Sequence, residues 1–263
     1  MVGGKNGSLF ECVAVDLNTQ LDFCAPDGAH PVRNFGELIP ALRRVIAWTK
    51  RNCVPVVSAI DSHRPHEVLG NGTRVSCVDG SPGQRKIAFT IFRHHVRVEV
   101  DNTLSIPLDL FKHHQQLIFR ERTDDLFTNP KADRLITQMP VGEFVVFGNV
   151  LEGAVKAVTL GLLSREKRVV IVSDACGYWD ATAADLAIRQ VHAKGAAVVT
   201  VDELLTRKLK RHNLYRLSLS RHLSRNSRRD NGRGGVGRQR VSRRCPIRPS
   251  MRRSAGRSRS SKS

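Results

Sequence analysis

An aspartate closing an apolar run, a second aspartate two residues from a histidine, and a helix start fed by a strand are where this sequence could do chemistry. Asp16 ends "LFECVAVD". A carboxylate there can take a proton as a general base, or it can simply cap the next turn. Asp61 ends "VPVVSAID" and His63 follows, offering an oxygen and a nitrogen to a metal. Two ligands so close together on a loop form an incomplete site, and His66, His94 or His95 would have to complete it. Arg120, Glu121 and Arg122 follow "QQLIF" and read, as residues alone, as a solvated ion-pair cluster. In "FGNVLEGAVKAVTLGLL", Leu151, Ala154, Val155, Val158 and Leu162 share one helical face. The first turn of such a helix favours negative charge because its N–H groups lack helical partners, and a thiol placed there is activated. The polar residues present are Asn149 and Glu152, yet the position best placed inside the turn is Ala154. Cys176 in "SDACGYW" follows another strand and reads as a reduced core thiol rather than a nucleophile.

Positioning these groups requires strands that end together. The segments 9–16, 54–61, 143–149 and 168–175 are short, β-branched and bounded by polar or turn residues, as buried parallel strands are. Residues 115–119 and 196–201 are shorter candidates of the same kind. Helical patterns fall at about 34–52, 131–139, 150–165 and 182–194. Strand–helix alternation with short links predicts a parallel sheet covered on both faces. Ligands in such sheets sit beyond the strands' carboxyl ends, here Asp16, Asp61, the 120s, Gly148–Glu152 and Asp174. Residues 62–114 are irregular, with turn signals "HRPHE", "GNGT" and "DGSPGQ", and read as an excursion over the sheet edge.

The 263 residues suffice for a full core. Their net charge of +19 resides entirely in the segment from Arg207 onward, which has 20 basic residues and one acid, Asp230; residues 1–206 are neutral. Residues 212–263 are nearly devoid of apolar side chains and predict a disordered Arg/Ser-rich tail. Without aromatic platforms, it suits nonspecific nucleic acid or another polyanion, held through phosphate neutralisation and weakened by salt. A solvated extension and a segment not selected as protein are competing readings of the same composition. Six cysteines without a CxxC pair read as reduced thiols, and no apolar run approaches about 18 residues. A cytoplasmic protein without a membrane partner is expected.

Taken together, "VDLNTQLDFCAPDGAHPV", "IDSHRPHE", "CVDGSPGQRKI", "RERTDDLFTNPKADRL", "VVFGNVLEGAVKAVTLGLL" and "VVIVSDACGYWDATAADLAIRQVHAKGAAVVTVDEL" resemble the isochorismatase-like hydrolases, which include nicotinamidases and related cysteine hydrolases. The resemblance runs from about Phe10 to Leu205. It implies a three-layer α/β/α domain over 8–211 with a mainly parallel six-stranded sheet. It also implies a mechanism in which an Asp takes a thiol proton, a Lys supports charge, and a Cys attacks an amide carbonyl. The Asp maps to Asp16, although two extra residues separate it from "QLDF" compared with the family's Asp-x-Gln-x-Asp-Phe. The Lys position is Glu121 and the Cys position is Ala154. The oxyanion donors would be the backbone N–H groups of Glu152, Gly153 and Ala154, with Phe23, Arg120, Arg122 and Asn149 on the substrate side. The nicotinamidase metal set maps to Asp61 and His63, but its later His is Ser76, and no cofactor is expected.

These substitutions leave enzymatic status open. The favoured expectation is a degenerate hydrolase that has lost thiol chemistry and serves as a small-molecule binding or assembly protein, with homo-oligomers allowed by the resemblance. A second is a Cys-independent hydrolase using Asp16 as general acid/base, with Glu121 beside it as a carboxyl pair sharing a proton. A third is a nucleic-acid-associated protein working through its tail.

Overall fold

A computed structural model describes residues 10–67, 75–101 and 103–209. The tail expected over 212–263 lies outside the described residues.

The apolar runs form a seven-stranded, all-parallel sheet in the order β3-β4-β2-β1-β5-β6-β7. The strands are β1 (Phe10–Leu17), β2 (Val56–Asp61), β3 (His95–Val98), β4 (Gln116–Glu121), β5 (Val141–Gly148), β6 (Val169–Cys176) and β7 (Ala197–Val199). The sheet thus has one strand more than the six expected. The addition, β3, lies in the irregular excursion and pairs with the outer side of β4. Its residues are half-buried or exposed, as an edge strand permits, so "HVRV" carries no apolar signature.

Side-chain alternation divides the sheet into two faces. Val13, Val15 and Leu17 of β1 join Leu117, Phe119, Phe144 and Val146 in one core. Helices α3 (Pro130–Gln138), α4 (Lys156–Ser164) and α5 (Ala181–Ala193) cover that face. Cys12 and Ala14 join Val56, Val145 and Phe147 in the other core. The short helix α1 (Leu21–Cys24), the long α2 (Phe35–Arg51) and α6 (Val201–Thr206) contribute to that side. The arrangement is the three-layer α/β/α expected.

The end of β5 sets the entry to α4. Gly148 has φ +116°, and a Cβ there would lie 2.0 Å from the Leu17 carbonyl oxygen, so only glycine fits where β5 passes β1. The chain then forms a π-helical turn over Leu151–Val155 before α4 begins, so the single helix expected from about 150 has two parts. Leu151, Val155, Val158 and Leu162 bury in the core.

Candidate functional site

Strand parity decides which groups meet. Asp16 pairs in register with Ser58, and Ser58 with Ile118, on the α2 face. Glu121 pairs with Asp61 and follows Leu117 and Phe119, on the α3–α5 face. Asp16 and Glu121 therefore point to opposite sides of the sheet. This corrects the expectation of a carboxyl pair sharing a proton.

Asp16 is fully buried, and its partner is a residue the sequence did not single out. Lys86 Nζ lies 2.9 Å from Asp16 Oδ2 and donates to Thr19 Oγ1 at 2.7 Å. Thr19 donates to Asp16 Oδ1 at 2.9 Å, and Ser58 to Oδ2 at 3.0 Å. Gln116 in turn donates to Ser58 Oγ at 2.9 Å. Both carboxylate oxygens thus hold short contacts inside the protein, and the network ties the excursion to β1, β2 and β4. Nothing local predicted Lys86: it lies 70 residues from Asp16 in an irregular stretch.

On the other face, Glu121 is 1% exposed, and neither of its oxygens has a well-formed hydrogen bond among the described residues. Burial, then the Asp61, Asp124 and Asp125 carboxylates, push its pKa well above the ordinary value; the nearby Asn18 side chain offsets this only in part. The surroundings of Glu121 thus favour the neutral carboxyl, the opposite of a site for a charge-supporting lysine. Asn18, with φ +47°, stands just beyond β1, and its Oδ1 is also buried without a partner. Burial raises Asp124 as well, and the Asp61 charge adds to it. A Cβ on Gly153 would lie 3.1 Å from Asp124 Oδ2, which places this carboxyl against the π-helical turn.

At that turn Ala154 is 1% exposed and presents only a methyl group. The Gly153 N–H donates to the Val150 carbonyl at 3.1 Å, so it is engaged within the turn rather than aimed at a ligand. Glu152 accepts from the Trp179 and Asp180 N–H groups at 2.8 and 3.0 Å, fastening the start of α5. Asn149 is buried and donates to the Asn18 carbonyl and to Cys24 Sγ, both at 3.0 Å. Phe23 is core, packed edge-on against Trp179 at 5.9 Å. Asn149 and Phe23 therefore serve internal contacts in this structure. Arg120 and Arg122 share a strand face and converge on Asp79, at 3.8 and 3.1 Å, while Glu121 between them points away. The cluster of three charges expected here is thus two arginines around an aspartate.

Asp61 and His63 are brought together, but in contact with each other. His63 Nε2 lies 3.0 Å from Asp61 Oδ2, and Nδ1 lies 3.1 Å from Glu67 Oε2. The Asp61 contact, aided by Glu67, raises the His63 pKa, although burial opposes it. Among the described residues no group of three or more His, Cys, Asp or Glu side chains could hold a metal ion. The donor set does not fit the implied metal.

Among the described residues no thiol takes the missing place. Cys24 lies near Asp16 and Lys86, but burial pushes its pKa up to about 12, and Cys176 is pushed to about 12 by burial as well. At neutral pH such a group is a thiolate on the order of once in 10⁵ molecules.

The chain matches the isochorismatase domain model over residues 12–203. No curated protein matches it significantly. Among solved structures it is similar to a pyrazinamidase of Pyrococcus horikoshii in complex with zinc, at 18% identity and TM-score 0.57, covering 72% of this chain and 99% of that one. A nicotinamidase/pyrazinamidase from Bacillus subtilis matches at 14% identity and TM-score 0.57, covering 72% and 100%. An isochorismatase family protein from Desulfovibrio vulgaris matches at 18% identity and TM-score 0.57, covering 75% and 100%. At these identities the structures speak for the fold alone. Among the described residues no helix is long and apolar enough to cross a membrane.

Proposed function

The chain belongs to the isochorismatase domain family, and from that premise we propose that it has lost thiol-dependent amide hydrolysis and persists as a small-molecule binding or assembly protein. One observation carries this reading: a buried Glu121, without a cationic partner among the described residues, stands beside Asn18, with Ala154 at the helix start. Counted back from Gln20 with the family's Asp-x-Gln-x-Asp-Phe spacing, the general-base position falls on Asn18 rather than Asp16. The base, the cation and the nucleophile are then all replaced, by an amide, an acid and a methyl. An amide at the base position cannot take a proton from a thiol, and a carboxyl group at the cation position supplies no positive charge to hold a thiolate.

The alternative, catalysis by Asp16 as general acid/base, has weaker support, because Lys86, Thr19 and Ser58 already engage both its oxygens. The test is ammonia release from nicotinamide and simple amides by the purified full chain. Release no faster than in buffer is expected. Turnover abolished by Cys24→Ala or Cys176→Ala would overturn the proposal, and turnover abolished by Asp16→Asn would transfer support to the alternative.

A further inference from the structure

The face of the sheet opposite Glu121 carries a cleft lined in part by Arg120 and by Lys86, the partner of Asp16. Across its edge, Arg97 of β3 pairs in register with Ile118 of β4, and Arg120 of β4 pairs with Ile60 of β2. Equal parity places two cationic and two branched apolar side chains side by side on one surface. The segment carrying Arg85 and Lys86 completes a small cleft of about 60 Å³, partly open to solvent.

The charges around this cleft do not balance. Lys86 is neutralised by Asp16, at 2.9 Å. Arg120 has Glu99 at 3.2 Å and Asp79 at 3.8 Å, although its buried Nε forms no well-aligned hydrogen bond. Arg85 and Arg97 are exposed residues and have no carboxylate partner among the described residues. Two arginines without a carboxylate partner among the described residues thus line a cleft that also carries Ile60 and Ile118. Guanidinium forks suit carboxylate and phosphate oxygens, and the isoleucines favour an apolar body over water.

We propose that this cleft binds a small organic anion, a carboxylate or phosphate monoester with an apolar body, held by Arg85 and Arg97 over Ile60 and Ile118. The cleft lies on the other side of the sheet from Glu121, and the Arg85 and Arg97 test leaves the Asp16–Lys86 pair untouched.

The test is calorimetric titration of the full chain, in about 0.15 M salt to suppress diffuse attraction to charge, with phenyl phosphate, benzoate and inorganic phosphate. One saturable site for phenyl phosphate or benzoate is expected, with inorganic phosphate weaker; which of the two binds better assigns the anionic group. The Arg85→Gln/Arg97→Gln double variant should weaken binding at least about tenfold, the loss of one charge-assisted contact or more. Both side chains are exposed, so the variant should fold, as checked by an unchanged melting temperature. Arg189→Gln, which removes an exposed pair with Asp185 elsewhere, should leave binding intact. Absence of a saturable site, equal affinity in the double variant, or inorganic phosphate binding as tightly as phenyl phosphate would overturn the proposal.

Discussion

Replacing Lys86 with methionine should show how strongly the Asp16 network holds the excursion to the sheet. The two side chains are 3% and 0% exposed, and their charged atoms are 2.9 Å apart. Methionine keeps most of the volume and removes the charge, leaving a carboxylate that is buried and opposed only by hydrogen bonds from Thr19 and Ser58. Breaking a buried pair from one side typically costs about 3–5 kcal/mol, whereas removing both charges is often close to neutral. In a domain of this size, that predicts a melting temperature lower by roughly 6–20 °C. Urea unfolding of wild type, Lys86→Met, Asp16→Asn and the double variant forms a thermodynamic cycle. Each single variant should be destabilised by about 3 kcal/mol or more, and the double variant by much less than their sum. A Lys86→Met cost below about 1 kcal/mol, or strict additivity, would refute the argument that the pair is buried and coupled.

Further outcomes concern the opposite face and the tail. Because the Glu121 pKa is raised, the folded state binds a proton that the unfolded state has released above its ordinary value near 4.5. Its contribution is therefore fully present below pH 4.5 and is lost as pH rises toward the folded pKa, with a slope of up to about 1.4 kcal/mol per pH unit. Glu121→Gln should gain stability relative to wild type as pH rises from 5 to 8, measured by urea unfolding; a pH-independent difference would contradict the burial argument. Gln20 clasps the Asp61 backbone with both ends of its amide, at 2.8 Å each. Gln20→Ala should cost about 2–4 kcal/mol in the same assay, by leaving two buried backbone groups unpaired. Removing residues 212–263, which carry most of the positive charge, should abolish retention on DNA at low salt if polyanion binding resides there.

The sheet was legible because parallel strands buried on both faces are almost pure apolar runs, and β1, β2, β5 and β6 are such runs. An edge strand such as β3 needs no such run and left no mark. The limits of the site reading have one physical source. "VAVD" suggests a strand ending at Asp16, but β1 continues through Leu17. Asn18 then leaves the strand with φ +47°, and its side chain reaches Glu121 on the face that Asp16 does not share, a turn that the apolar run does not encode. Ala154 reads from its helical position as a packing residue, and the resemblance to the family marks it as the thiol's position. Nothing comparable marks Lys86, since its role comes from tertiary contact with Asp16 across 70 residues.

The most direct test of lost thiol chemistry is alkylation of the native protein at neutral pH, with iodoacetamide labelling followed by peptide mass spectrometry. Cys12, Cys24, Cys77 and Cys176 are buried, and burial raises each of their pKa values. Cys53 is the exposed cysteine among the described residues. The account predicts that, of these five, Cys53 alone is labelled within minutes and that the other four react only on unfolding. Rapid labelling of Cys24 or Cys176 in the folded protein would reveal an activated thiol and contradict it.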